Sequence, residues 1–208
     1  MQNTTKPKTL SWINSQYKKG NISFSHKLQR PINQWSTQMK SLLIHSLLMG
    51  IPVNPIYLVE EDNVMATLDG SQRVSTCIQY INDEFALNKY TPNVVIRYKE
   101  NGEEIAKEFE IAKKRFSKLD DIVKEALLVD TLDFCILSDY TDDDVKMMFE
   151  RQNSGKKLGA KLLRVCKCSD EFSDMVYSLS ANPLMDKLMS PNQRKSGTDR
   201  DVIIQTIM

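Results

Sequence analysis

The sequence is poor in the residues that most directly betray chemistry. It holds two histidines, His26 and His45, and four cysteines, Cys77, Cys135, Cys166 and Cys168. Four scattered thiols are too few for a disulfide framework, and two of them fall within apolar segments. Cys166 and Cys168 form a lone C-x-C with no second pair and no histidine near it in sequence, so they read as half-buried or surface thiols rather than half of a zinc site. No metal-ligand set is expected. No apolar run approaches the roughly 18 residues that a membrane-spanning helix requires, and the polar start MQNTTKPK lacks the apolar stretch of a secretory signal. A cytoplasmic protein without a membrane partner is therefore expected. Neither sign of charge is in excess: 28 Lys and Arg stand against 27 Asp and Glu, for a net charge of +1. That balance excludes a global pull towards nucleic acid or anionic lipid, so any polyanion site must be a local cluster. There is no internal repeat and no long low-complexity linker.

The remaining pattern is that of an ordinary globular chain. Residues 9–19 predict a short helix stopped at Gly20, and Ile22 to Phe24 a brief extended piece. Pro31 restricts Arg30 to extended geometry, so the stretch from Gln29 to Trp35 reads as an ordered loop. Ser36 is placed to cap a helix running to Met49, in which Leu43 with Leu47 and Ile44 with Leu48 stack at four-residue spacing. Pro55–Glu60 and Val64–Leu68 flank the turn Glu61-Asp62-Asn63 and predict a hairpin. Asp69-Gly70 follows at once, then a helix whose apolar positions Val74, Cys77, Ile78, Ile81 and Phe85 keep the three-four rhythm. A second hairpin is expected at Val94–Tyr98 and Ile105–Ile111, turning at Asn101-Gly102. An amphipathic helix over Leu119–Leu127 and a buried strand at Leu132–Leu137 come next. Thr141 is placed as the cap of a further helix, with Asp142, Asp143 and Asp144 where carboxylates favour its dipole. Arg151–Gly155 ends that helix in a turn. Beyond Lys157 short helices are expected, broken at Pro183 and at the polar stretch Ser190–Thr198. The whole predicts an α/β (α+β) domain over residues 9–140, with a small mixed sheet and flanking helices, followed by a helical extension over 141–208. The apolar stretch Ile203–Met208 would leave a helix face uncovered, so a longer C-terminal region, a partner subunit or a second copy of the chain is expected there.

One corner of this plan carries chemistry. A glycine between a strand and a helix lets the backbone turn sharply and brings the unpaired amides of the helix start towards one point. Together with the positive end of the helix dipole they make an anion site, and phosphate is its natural guest. Arg73 lies in the first turn of that helix, where its guanidinium can grip the same anion through two parallel hydrogen bonds. Asp69 would repel a bare anion. Its functional reading is to hold a metal beside the phosphate or to activate a water, and its structural reading is a helix cap. Alone, D-G-x-Q-R is a common turn. Gln29 and Arg30, in a loop with Trp35, and the polar turn Phe149-x-Arg151-x-Asn153-x-Gly155 give it company.

Taken in order, Q-R-x-x-x-x-W (Gln29, Arg30, Trp35), a helix ending in Gly50-Ile51-Pro52, the P-I-Y-L strand from Pro55, L-D-G-S-Q-R from Leu68 to Arg73, and F-E-R-Q-N-S-G-K-K-L from Phe149 resemble the GmrSD restriction-enzyme N-terminal family over roughly residues 9 to 170. The family more often writes the corner D-G-Q-Q-R, so Ser71 is a departure that shortens a hydrogen-bonding side chain. The resemblance implies a fold similar to the ParB N-terminal domain and sulfiredoxin, which bind nucleotide phosphates at the corresponding corner. It implies that Asp69, Gly70, Ser71, Gln72 and Arg73 form the nucleotide corner, with Gln29 and Arg30 beside it and Arg151 and Asn153 from the later motif. Asp69 and Arg73 would carry any catalysis, and the implied cofactor is an NTP with Mg2+. The implied activity is NTP hydrolysis coupled to restriction of modified phage DNA, in a family whose fuller members carry a separate C-terminal HNH nuclease domain. An HNH site needs histidines and an asparagine around a metal. His26 and His45 have no such company, so the chain is not expected to cut DNA by itself. The alternative is a non-catalytic DNA- or protein-binding accessory, encoded by a phage or mobile element, that uses the same corner without turnover.

Three other features each have two readings. Lys156, Lys157, Lys161, Arg164 and Lys167 are either contacts to DNA phosphates or a solvated helix face, and no aromatic residues interleave them as a stacking platform requires. Trp12 and Trp35 either stack on a base or fill the core. The methionine-rich stretch Met175–Met189 is either an adaptable binding surface or packing between short helices.

Overall fold

The computed structural model describes residues 1–24, 34–61, 64–100, 102–141, 143–145, 147–148 and 170–207. Five strands form one mixed sheet: β1 (Gln2–Thr9), β2 (Ile22–Ser23), β3 (Ile56–Glu61), β4 (Val64–Asp69) and β7 (Thr131–Ser138), in the spatial order β1-β7-β3-β4-β2. β5 (Val94–Glu100) and β6 (Glu103–Phe109) make a separate antiparallel hairpin. The helices that accompany them are α1 (Leu10–Lys18), α2 (Thr37–Leu48), α3 (Ser71–Ile81) and α4 (Asp121–Val129). After residue 169 come α5 (Asp170–Ser180), α6 (Leu184–Leu188), α7 (Pro191–Lys195) and α8 (Thr198–Ile207). The α+β expectation holds.

Successive strand residues point to opposite faces, and here both faces are covered. Ile56 and Leu58 of β3 and Leu132 and Phe134 of β7 enter the main core with Leu10 and Ile13 of α1, Ile44 and Leu47 of α2, Val74 and Ile78 of α3, and Val123 and Leu127 of α4. The alternate residues Val59, Leu68 and Leu137 form a smaller core on the other face, closed by Val145 and packed by Tyr140 and Met148. The helical turn that supplies Val145 starts where the sequence expects. The Asp144 amide donates to the Thr141 hydroxyl oxygen at 3.2 Å, and the Thr141 amide donates back to the Asp144 carboxylate at 2.9 Å. The β5–β6 hairpin adds Val94, Ile96 and Phe109 to the main core. Both tryptophans pack there as well, Trp12 edge-on to Phe134 with ring centroids 6.2 Å apart. This favours the core reading of Trp12 and Trp35 over a base platform.

β1 carries no signal in the sequence. It is an edge strand whose first six residues are exposed, and it contains Pro7 opposite Asp133 of β7. A polar edge strand has no apolar alternation, and proline is tolerated on an edge because its missing N–H faces no partner. The strand is made by pairing with β7, not by its own pattern.

Local caps do follow the sequence. Ser36 accepts from the Met39 amide at 3.3 Å and Thr9 from the Trp12 amide at 3.2 Å. Ser36→Ala should cost about 1 kcal/mol, which lowers the thermal midpoint by roughly 2–4 °C in a chain of this size. An unchanged melting curve would show that the α2 start is held by packing alone.

Towards the C-terminus Ile204 of α8 and Val176 of α5 are buried, and the Ser180 hydroxyl donates to the buried Asp199 carboxylate at 2.6 Å. The apolar face of residues 203–207 is thus covered in part. One expectation changes. The polar stretch Ser190–Thr198 contains a helix, α7, because Ser190 and Gln193 form a reciprocal capping box with Pro191 in the first turn. In the methionine-rich stretch Met175 of α5 is 40% exposed, while Met185 and Met189 are half-buried. Among the described residues no helix is long and apolar enough to cross a membrane.

Candidate functional site

The register of the sheet decides what surrounds Asp69. β4 pairs antiparallel with β3, Tyr57 opposite Asp69, and parallel with β2, Ser23 opposite Ala66. β3 in turn runs parallel to β7, Ile56 opposite Phe134. The end of the sheet that carries Asp69 therefore also carries the C-terminal end of β2 and the starts of β3 and β7.

At that end the chain turns through Gly70, which adopts φ +95° and ψ 6° and serves as the N-cap of α3 with no side chain to cap it. A Cβ here would come within 2.5 Å of Ile56 Cδ1 and 2.9 Å of Arg73 Nη2, so those side chains would have to shift, and an L-residue at this φ is strained in any case. The Arg73 and Val74 amides both donate to the Gly70 carbonyl, at 2.9 and 3.0 Å. The amides of residues 71 and 72 precede this first intrahelical bond, so the helix itself offers them no acceptor.

Arg73 folds back over the glycine. Its Nη2 donates to the Pro55 carbonyl at 3.0 Å and to Asp69 Oδ2 at 3.0 Å, while its Nε is buried and has no hydrogen-bond partner among the described residues. The sequence anticipates an arginine open to an anion. In the structure one of its nitrogens is already engaged and another is desolvated and unpaired. A buried donor of a cationic group left unsatisfied costs free energy that an arriving anion would recover. Asp69 is not the helix cap of its structural reading, since Gly70 holds that position and the carboxylate faces the guanidinium instead.

Asp69, Gly70, Ser71, Gln72 and Arg73 are thus together, with Ser71 buried behind the turn. Gln29 and Arg30 lie outside the described residues, but the chain on either side of them is tied to this end. The Thr67 hydroxyl donates to the Ser23 carbonyl at 3.4 Å, and the Gln34 amide donates to Gln72 Oε1 at 3.0 Å. Arg151, Asn153, Lys156, Lys157, Lys161, Arg164 and Lys167 also lie outside the described residues, as do His26, Cys166 and Cys168. His45 is half-buried on α2. Cys77 is fully buried, which pushes its thiol up to about 12 with a further push from the Asp130 charge, so it is inert as a nucleophile at neutral pH.

The sequence offers no sign of the Pro55 carbonyl or of Ile56, on which the corner rests, because a backbone acceptor and a packing floor have no motif of their own. Nor does it mark the cleft of about 180 Å³ at the same end of the sheet, lined by Gly50, Ile51, Pro52, Asp130 and Asp133. There Asp130 Oδ2 is buried without a partner while Oδ1 accepts from the Thr131 amide at 2.8 Å. Burial raises the Asp130 carboxyl above its ordinary value, and the Thr131 bond only partly opposes this. A carboxyl raised in the folded state opposes folding once ionised; that penalty is absent below the unfolded value of about 4 and complete above the folded one. Asp130→Asn should therefore raise the thermal midpoint at pH 7, and the gain should vanish as the pH falls below about 4. A midpoint that drops equally at both pH values would show that the carboxylate is compensated.

No curated protein and no solved structure matches the chain. A family model does: GmrSD restriction endonuclease, N-terminal domain, matches residues 11–164. That span leaves out β1 but contains the other four strands of the sheet, α1 from its second residue onward, α2, α3, α4 and the Gly70 corner, and with it the chain belongs to the GmrSD restriction endonuclease N-terminal domain family.

Proposed function

We propose that this chain is the nucleotide-binding, NTP-hydrolysing sensor domain of a GmrSD-like modification-dependent DNA restriction system, without an HNH nuclease site among its own residues. Family membership gives the restriction role. The nucleotide reading rests on one observation: an uncapped helix start at a glycine of φ +95°, crossed by a guanidinium whose Nε is buried without a partner. Backbone amides and a desolvated cation converging on one point are what a phosphate group requires.

In this reading the first-turn amides of α3 and Arg73 bind phosphate oxygens. Gln72 holds the start of α2 against the corner through Gln34, and Gln29, Arg30, Arg151 and Asn153 complete the ligand's surroundings. The fold proposed is of the ParB and sulfiredoxin kind. Asp69 is the carboxylate available to Mg2+ or to an attacking water: its side chain is 49% exposed, and its Oδ1 has no partner among the described residues. Mg2+ is commonly held by one or two carboxylates with the rest of its shell from phosphate and water. That suits a site where no three His, Cys, Asp or Glu side chains gather among the described residues. Lys156, Lys157, Lys161 and Arg164 are the proposed DNA contacts.

A thermal-shift screen with each common NTP and Mg2+ tests binding, because a ligand held only by the folded state at a hundredfold its Kd stabilises by about 2.7 kcal/mol. A flat response to every NTP would remove the proposal. A second reading, the same corner binding without turnover, is favoured by the engagement of Asp69 with Arg73, which leaves one carboxylate oxygen for chemistry. Phosphate release measured with and without DNA separates the two.

A further inference from the structure

The corner contains its own competitor for the guanidinium. Asp69 Oδ2 and Arg73 Nη2 are 3.0 Å apart, and the two side chains are unequally placed, 14% exposed for the arginine and 49% for the aspartate. The cation is therefore desolvated while the carboxylate remains within reach of solvent. A bare anion arriving at Arg73 meets a pair of zero net charge and a like charge at hydrogen-bond distance from the nitrogen it seeks. It must displace the carboxylate or bear its repulsion. The Pro55 carbonyl, also 3.0 Å from Nη2, holds the guanidinium in place whether or not the carboxylate stays. The arrangement is a fixed cation with a removable anionic guard.

We infer that Asp69 is the specificity-determining residue of the corner: it admits phosphates that arrive chelated to a divalent cation and rejects the same phosphates bare. The inference rests on the reading of the corner as a phosphate site. Asp69 Oδ1, without a partner among the described residues, is the oxygen that reaches the chelated cation. Once the carboxylate's charge is matched by that cation it no longer competes for Arg73, and the Nε and Nη groups are left to the phosphate. Simple electrostatics at an unguarded arginine favours the opposite order, because the metal-free triphosphate carries more negative charge and is drawn more strongly to a lone cation. The guard thus reverses a preference, which makes it measurable.

The test is calorimetric titration of the wild-type chain and of Asp69→Asn with ATP, GTP, CTP, UTP and inorganic tripolyphosphate, each in EDTA and in excess Mg2+. Asparagine keeps the shape and still accepts from Nη2 but has no charge and ligates Mg2+ poorly. Wild type should bind the Mg2+ form at least about tenfold more tightly than the bare form. Asp69→Asn should narrow that gap to less than about threefold by gaining affinity for the bare form. Thermal melting shows whether the variant is folded, and Asp69→Ser gives the same readout if asparagine disturbs the turn. Bare-form affinity in a folded variant that is no higher than in wild type overturns the guard while leaving the phosphate site intact. Equal wild-type affinity in EDTA and in Mg2+ does the same. Binding of none of the five compounds by either protein under either condition removes the phosphate reading itself, and the selectivity with it.

Discussion

Arg73→Ala should weaken nucleotide binding severely and leave a folded protein. Among the described residues of the corner, the guanidinium supplies the positive charge that attracts phosphate and has atoms already desolvated to meet it, with Nε buried and unpaired there. Losing a charge-assisted contact of this kind costs about 3 kcal/mol, which is roughly a hundredfold in Kd. The fold should survive for a reason visible in the same geometry. The substitution removes an unsatisfied buried donor along with two hydrogen bonds, and it leaves Asp69 half-exposed to water rather than buried and alone. A stability loss of about 1–2 kcal/mol is expected, within the ordinary range for a point substitution. Arg73→Lys should recover little binding, because an ammonium at the end of a flexible stem cannot keep the Pro55 carbonyl and present a planar fork to phosphate at once. Calorimetry on the folded variants decides the matter: wild-type affinity in Arg73→Ala would remove the corner as the nucleotide site.

Gly70→Ala should have the largest effect on stability of any single methyl group added near the site. Two costs coincide. At φ +95° an alanine is strained by about 1–2 kcal/mol, and its Cβ would lie 2.5 Å from Ile56 Cδ1, in the core, where overpacking costs about 1–3 kcal/mol. Their sum lowers the thermal midpoint by roughly 4–20 °C. The same Cβ would press on Arg73 Nη2 at 2.9 Å, so nucleotide binding should fall further than the loss of stability accounts for. Gly102→Ala is the control. Gly102 shares the left-handed conformation, at φ +88°, but nothing among the described residues lies within 4 Å of its added Cβ. Its midpoint should fall by the strain alone, and the difference between the two variants measures the packing at the corner. Equal losses would show that Ile56 and Arg73 yield without cost.

The helices and hairpins near the site are legible from local pattern because their signals are local. Ser36, Thr141 and the apolar rhythm of Val74, Cys77 and Ile78 each act within a turn or two of chain, and the structure places caps and buried faces accordingly. The strand-to-helix corner is legible for the same reason, since Asp69-Gly70 follows an apolar run and precedes an amphipathic one. The engagement of Arg73 is not. Its partners are a carboxylate four residues away and a carbonyl eighteen residues away, and nothing in the residues themselves says that the side chain bends backwards over a glycine instead of outward to solvent. The edge strand β1 was hidden likewise, because its pairing with β7 lies more than a hundred residues along the chain and leaves no apolar mark on it.

By itself, then, the sequence determined the class of fold, the positions of most helix starts and turns, and the family, because propensity, capping and motif spacing are properties of neighbouring residues. The tertiary structure alone decided that the ends of β2 and β4 and the starts of β3 and β7 meet at one end of the sheet, that Ile56 floors the glycine turn, and that Asp69 rather than solvent occupies Arg73. Those outcomes depend on which distant segments share a register, and register is settled by burying the two faces of the sheet at once.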